Sequence, residues 1–230
     1  MKAIVTLFAF NLLTLILLSQ NEHIYPVQVN EKFPEITLST GDGELISIPG
    51  KSEKNTLLIF LRGKVTPQVW CPICQYQYLE IMVAEDKEKI REKFNMDIYF
   101  VLPYKADSLE NWVKAFPKSL QTINGWKNPD NPTENQKLWA DYCHEFFPFD
   151  FENKLANLEL KLPVLFDPEQ IVSKGLYLFE EEWGGTKVAQ NIPTIFMIDK
   201  NGIVRFKYFS QYTNDRPDAK YIIKYLKNML

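Results

Sequence analysis

Cysteine and histidine are scarce in this chain, three of one and two of the other among 230 residues. A scaffold strengthened by disulfides would spend several well-separated cysteine pairs, so that class is set aside. Structural zinc wants four ligands, commonly from two C-x2-C-like pairs. Here there is one pair, Cys71 and Cys74, plus Cys143, His144 and His23. Cys143 and His144 are adjacent, so their side chains diverge on most backbones, and no metal site is expected. Also missing are a basic stripe, an acidic tail, internal repeats and low-complexity tracts. With a formal net charge of −3, nothing marks a nucleic-acid partner. The longest same-sign run, Glu180 to Glu182, reads as a solvated turn. Hydrophobic content of 46% and charged content of 24% are ordinary for a globular protein, and the length suffices to bury one sizeable core.

Long uncharged runs are absent too, with one exception. "MKAIVTLFAFNLLTLILLSQ" has a lysine at position 2 and then sixteen uncharged, mostly apolar residues from Ala3 to Leu18. A basic start before such a run reads as a secretory signal, slightly long for a cleaved apolar region and slightly short for a membrane span. Residues 1–20 are therefore expected to be a signal peptide or a membrane anchor. Ser19 suits a cleavage site, whereas Leu17 departs from the usual small-residue pattern. No cysteine ends the run, so a lipid-modified terminus is not indicated. The mature protein is expected outside the cytoplasm, periplasmic or secreted, with a membrane contact only if the segment is retained. There, thiols can remain oxidised.

What is present beyond residue 20 alternates between strand and helix signals. "FPEITLSTGDGELISI" reads as two short strands around Gly41-Asp42-Gly43. "NTLLIFLRG" and "MDIYFVLPY" are continuous apolar runs, as in strands buried on both faces. From Cys71 to about Phe94 the apolar residues follow a helical period, and Ser108 is a cap-like opening to "SLENWVKAF". Residues 117–160 are rich in proline and aromatics, and a structureless loop of that length is unusual. They are read as an insertion with one or two short helices over the active face. After it come a strand and helix in "LPVLFDPEQIVSKGLYLF", a hairpin around Asp199-Lys200-Asn201-Gly202, and an amphipathic helix from Asp218. The layering predicts one α/β domain over residues 21–230, with a central mixed sheet flanked by helices, an N-terminal β extension and the helical insertion.

The chemistry concentrates in "VWCPICQYQY". A four-residue disulfide loop hardly restrains an unfolded chain, so as a staple the pair would be nearly useless. As a redox couple it makes sense. Cys71 follows a strand and its loop and opens a helix, where unpaired N–H groups and the helix dipole favour thiolate. Pro72 suits the first helical position because its missing N–H loses nothing there. Cys74, nearly one turn on, can close a small disulfide. Cys71 is thus the candidate attacking thiolate and Cys74 the resolving partner. Trp70 either covers the pair with apolar surface or is an ordinary core aromatic. No acidic residue is assigned as proton acceptor for Cys74; Glu80 is a candidate only by nearness along the helix. Pro193, before the strand "TIFMID", would if cis present a backbone edge to a substrate peptide, with Thr194 beside it. Cys143 is read as a bystander among Tyr142, Phe146 and Phe147.

The segments "LRG…WCPICQYQYLEI", "LPVLFDPEQ", "IPTIFMIDKNGIVRFKY" and "SQYTNDRPDAKYI" resemble the redoxin branch of the thioredoxin superfamily, which includes the AhpC/TSA, peroxiredoxin-like proteins. The resemblance runs from about residue 31 to 228, the insertion apart. It implies a thioredoxin-like fold, an active-site pair at Cys71 and Cys74, and a cis proline at Pro193. It also makes Arg205 the arginine that polarises peroxide, the alternative being a surface charge at a strand end. Peroxiredoxins carry a threonine or serine three residues before the reactive cysteine; here that position is Gln68, and "KVTPQV" looks inserted.

Disulfide exchange needs no such hydroxyl. The leading expectation is an exported thiol–disulfide oxidoreductase, acting on protein or small-molecule disulfides with an upstream thiol donor and no cofactor beyond its own redox-active disulfide. The alternative is a thiol-dependent peroxidase using hydroperoxides, with Cys71 forming a sulfenic acid. A redox-inactive binding protein is disfavoured because both cysteines remain.

Overall fold

The structure is a computed structural model and describes residues 24–50, 53–151, 155 and 158–229. The N-terminal apolar run and His23 lie outside the described residues. No helix among the described residues is long and apolar enough to cross a membrane.

Seven strands form one mixed sheet in the order β11-β10-β3-β6-β7-β1-β2. Its centre is β3 (Asn55–Phe60) and β6 (Met96–Leu102), paired in parallel, with β7 (Val164–Phe166) parallel to β6. These are the continuous apolar runs of the sequence. Alternate side chains enter opposite faces of the sheet. Leu57, Ile59 and Leu61 join one core with Ile98, Phe100 and Met197, while Leu58 and Phe60 join the other with Phe33, Val101 and Phe196. The hairpin β10 (Thr194–Ile198) and β11 (Val204–Phe209) adds antiparallel to β3. The N-terminal hairpin β1 (Ile36–Ser39) and β2 (Leu45–Ile48) extends the far edge, β1 running antiparallel to β7.

Helix α1 (Pro72–Glu88) is a core helix, with every residue from Pro72 to Met82 buried. Tyr78, inside it, donates its hydroxyl to Leu162 O at 2.9 Å and packs against Phe100, Trp112 and Phe116. Such aromatic pairs contribute about 0.5–1.5 kcal/mol each beyond area burial. The helix expected to run to Phe94 breaks at Lys89, whose φ of 54° is left-handed, before a short α2 (Ile90–Lys93).

The stretch 117–160 holds two helices of ordinary length. α4 (Phe116–Lys127) continues almost directly from α3 (Ser108–Lys114) and lies against α1; α5 (Glu134–Phe146) packs on α4. Thr133 caps α5, exchanging hydrogen bonds with Gln136 in a capping box. Ser108 does not cap α3. It is the first helical residue, and its hydroxyl is buried without a partner. Beyond β7 come α6 (Ile171–Gly175), the two-stranded ribbon β8 (Phe179–Glu180) and β9 (Gln190–Asn191), and, after β11, α7 (Ala219–Met229) against α1.

Candidate active site

Strand β3 leaves the sheet through Leu61, Arg62 and Gly63. Gly63 has a φ of +89°, and a Cβ there would collide with the Tyr104 ring. Glycine is the residue that tolerates both. The stretch that looked inserted is a small hairpin, β4 (Lys64–Thr66) against β5 (Val69–Trp70), which brings the chain straight back. Cys71 N then donates to Gly63 O at 2.8 Å. The hairpin therefore sets Cys71 at the N-cap of α1, in extended conformation, with Pro72 in the first turn. Its Sγ accepts at 3.4 Å from Cys74 N, which also donates to Cys71 O at 3.1 Å, so a first-turn helix N–H points at the sulfur.

Both sulfurs are nearly closed off, Cys71 being 2% and Cys74 0% exposed, and both are free thiols. Two arginines flank them. Arg216, 6% exposed, directs Nη1 to Cys74 Sγ at 3.2 Å and Nη2 to Cys71 Sγ at 3.5 Å. Arg62 donates to Gln190 Oε1 at 2.5 Å, Thr186 Oγ1 at 2.8 Å and Trp183 O at 3.1 Å, and lies over the Trp183 ring. Burial alone would raise both thiols. For Cys71 it is outweighed by the Cys74 thiol hydrogen bond and the Arg216 and Arg62 charges, which hold it well below the ordinary cysteine range. Burial, and a proton held between the two sulfurs, keep Cys74 well above that range. Thiolate at Cys71 and thiol at Cys74 is the charge state an attacking and a resolving cysteine need.

The other sequence-predicted residues divide. Trp70 is buried, edge-on to the Tyr104 ring, with Lys64 Nζ 5.1 Å from its centroid. Tyr104 ties this corner by accepting from Lys64 N at 3.0 Å and donating to Ala189 O at 2.8 Å. Pro193 and Thr194 are buried where β10 meets the end of β3, and Thr194 Oγ1 donates to Ile192 O at 3.0 Å.

Two expectations are corrected. The peptide before Pro193 is trans; the one cis bond among the described residues is Ile48–Pro49. The chain is extended on both sides of Pro193, so no reversal is needed there, and its carbonyl already accepts from Ser210 N at 3.0 Å. Arg205 lies near the opposite end of the ribbon, paired with Asp199 at 2.8 Å and reaching Asn30. The position beside the sulfurs belongs to Arg216, which sequence reasoning missed although the segment containing it was quoted. α4 packs beside α1 and α5 on α4, and Tyr142 on α5 donates to Asn214 O at 3.1 Å, bracing the loop that carries Arg216. Cys143 is buried on that helix, and burial pushes its thiol up to about 11. Among the described residues no cluster of ligands is placed to hold a metal.

The AhpC/TSA family profile matches residues 29–207. The chain belongs to the AhpC/TSA family. This AhpC/TSA protein shares its fold with solved structures at low identity. A peroxiredoxin-like protein from Aquifex aeolicus superposes with a TM-score of 0.52 at 13% identity, over 89% of each chain. The mitochondrial 2-Cys peroxiredoxin of Plasmodium falciparum gives 0.50 at 15% identity, over 88% of this chain and 94% of that one. The reduced 2-Cys peroxiredoxin of Plasmodium vivax gives 0.50 at 14%, over 88% and 81%. No curated protein sequence matches. Family membership carries thiol-based redox chemistry, and the buried pair with its two arginines is the part of this AhpC/TSA chain equipped for it.

Proposed function

We propose that this protein is an exported thiol–disulfide oxidoreductase, with Cys71 as the nucleophile and Cys74 as the resolving thiol. The observation that carries this reading is the pair of Arg216 contacts, 3.2 Å to Cys74 Sγ and 3.5 Å to Cys71 Sγ, at a helix N-terminus. The Cys71 thiolate attacks one sulfur of a substrate disulfide, and the other substrate sulfur leaves as thiolate. Cys74 then attacks Cys71 in the mixed disulfide, losing its proton and releasing the second substrate thiol. The substrate gains two electrons and the pair becomes a disulfide; the reverse sequence oxidises a dithiol. Trp70 and Pro72 adjoin Cys71 in the chain, and no group beyond the disulfide is required. Export rests on residues 1–20.

One observation favours a second reading, thiol-dependent peroxidase. Cys71 is 2% exposed, so a hydroperoxide reaches it with less opening than a protein disulfide does. Against it, Gln68 is exposed on the β4–β5 turn and supplies no hydroxyl to orient the peroxide.

The test is a pair of assays on the purified protein, one for exchange with a protein disulfide and one for hydrogen peroxide turnover with a thiol donor. Exchange that vanishes in Cys71→Ser is expected. Peroxide turnover without exchange selects the peroxidase. Silence in both assays leaves a binding protein on this fold.

A further inference from the structure

Arg216 and Arg62 flank the same sulfurs but depend on them differently. Arg62 donates to three oxygens and covers the Trp183 ring, partners that survive any change at the cysteines. Among the described residues, the side-chain hydrogen bonds of Arg216 go to the two sulfurs. It makes no ion pair with a carboxylate among the described residues, and its Nε is buried without a partner. The two guanidinium groups also stand close enough to repel each other. A neutral thiol is a weak acceptor; a thiolate is an anion. Among the described residues, the anion available to Arg216 is thus a thiolate at Cys71, whose sulfur Nη2 reaches at 3.5 Å.

Disulfide formation removes that anion. Two cations are then left buried beside two uncharged sulfurs, the situation in which one partner of a buried ion pair has been deleted. The dithiol state escapes this cost and the disulfide state bears it. We infer that Arg216 poises the Cys71–Cys74 couple on the oxidising side, so that the protein donates its disulfide to dithiol substrates. This rests on the exchange reading above and gives it a direction.

In the donating reaction a substrate thiolate attacks Cys71 Sγ of the disulfide. Cys74 leaves and takes a proton. The second substrate thiolate then attacks the first substrate sulfur, and Cys71 departs as thiolate toward Arg216. Two electrons pass from substrate to protein; of the two substrate protons, one ends on Cys74 and the other in solvent. A more oxidising disulfide recharges the pair by the exchange already described: the Cys71 thiolate attacks it, and Cys74 resolves the mixed disulfide and gives up its proton.

The experiment equilibrates the full-length protein in glutathione buffers of graded ratio, quenches with acid and counts free thiols by alkylation and mass. Arg216→Met is expected to make the disulfide harder to reduce by at least about tenfold in the equilibrium constant, or about 30 mV toward the reducing side. Arg216→Lys, which keeps the charge, should stay near wild type. A folded Arg216→Met with an unchanged constant, or one shifted the other way, overturns the inference. Should Arg216→Met not fold, the wild type decides: its reduced form should melt above its oxidised form, and the opposite order overturns the inference. A wild type that forms no intramolecular disulfide at any ratio overturns the exchange reading itself. A disulfide that forms but ignores residue 216 overturns only its poise.

Discussion

The β10–β11 ribbon has an arginine near each end, and the two side chains live under opposite conditions. At the Asp199 turn, Arg205 is 40% exposed in its side chain and meets a carboxylate at 2.8 Å. Past the other end, in the loop after β11, Arg216 is 6% exposed and meets two sulfurs. The first pair is solvated on one side, where ion pairs contribute at most about 1 kcal/mol. In the second, water is excluded and the acceptor can be neutral or charged, so the arginine's main effect is on which state the sulfur adopts. An arginine of the right sort at one end of a strand thus says little until its acceptor and burial are known.

The contrast can be broken most strongly at Arg216. Substituting methionine should raise the Cys71 titration midpoint by at least about one pH unit, or 1.4 kcal/mol, in ultraviolet thiolate absorbance of the reduced protein. Arg62→Met should move the same midpoint in the same direction by less, because its charge acts on Cys71 more weakly than that of Arg216.

The support beneath Arg216 offers a third handle. Glu80 on α1 is pushed up to about 8 by burial and by Asp218, with Ala219 N opposing the rise. Asp218 and Ala219 follow Arg216 across Pro217. A carboxyl raised on folding adds stability that is complete below about 4.5 and is lost as pH rises through about 8. Across that window the denaturant midpoint of the reduced wild type should therefore fall relative to that of Glu80→Gln. Cys71 works in the opposite sense. Lowered on folding, it adds stability that is complete above the unfolded value of about 8.5 and is lost as pH falls through the folded one. The smallest effect belongs to Arg205. Arg205→Ala should cost no more than about 1 kcal/mol in denaturant unfolding and leave the thiol titration where it was.

Much of the framework was legible because it rests on local signals. Doubly buried strands write continuous apolar runs, as in "NTLLIF" and "MDIYFVL", and a proline between two cysteines at a helix start is a local arrangement. The insertion declared itself by composition, and α5 within it braces the loop beside the site through Tyr142. What was not legible depends on contacts distant in sequence. Arg216 lies 142 residues from Cys74, in an irregular loop where no periodicity distinguishes a buried cation from a solvated one. Arg62 stood in the quoted "LRG" yet had no assigned role, because its partners Trp183, Thr186 and Gln190 come from a later ribbon. Pro193 shows the converse: a familiar position whose backbone geometry is decided by the extended chain around it.

The account's central claim is that Cys71 is an acidic thiol because of where the fold sets it. Titrating the reduced wild-type protein by ultraviolet thiolate absorbance, with Cys71→Ser as the blank, tests it directly. A transition far below the ordinary value of about 8.5, absent from Cys71→Ser, is the predicted result. A first transition at or above that value would contradict it.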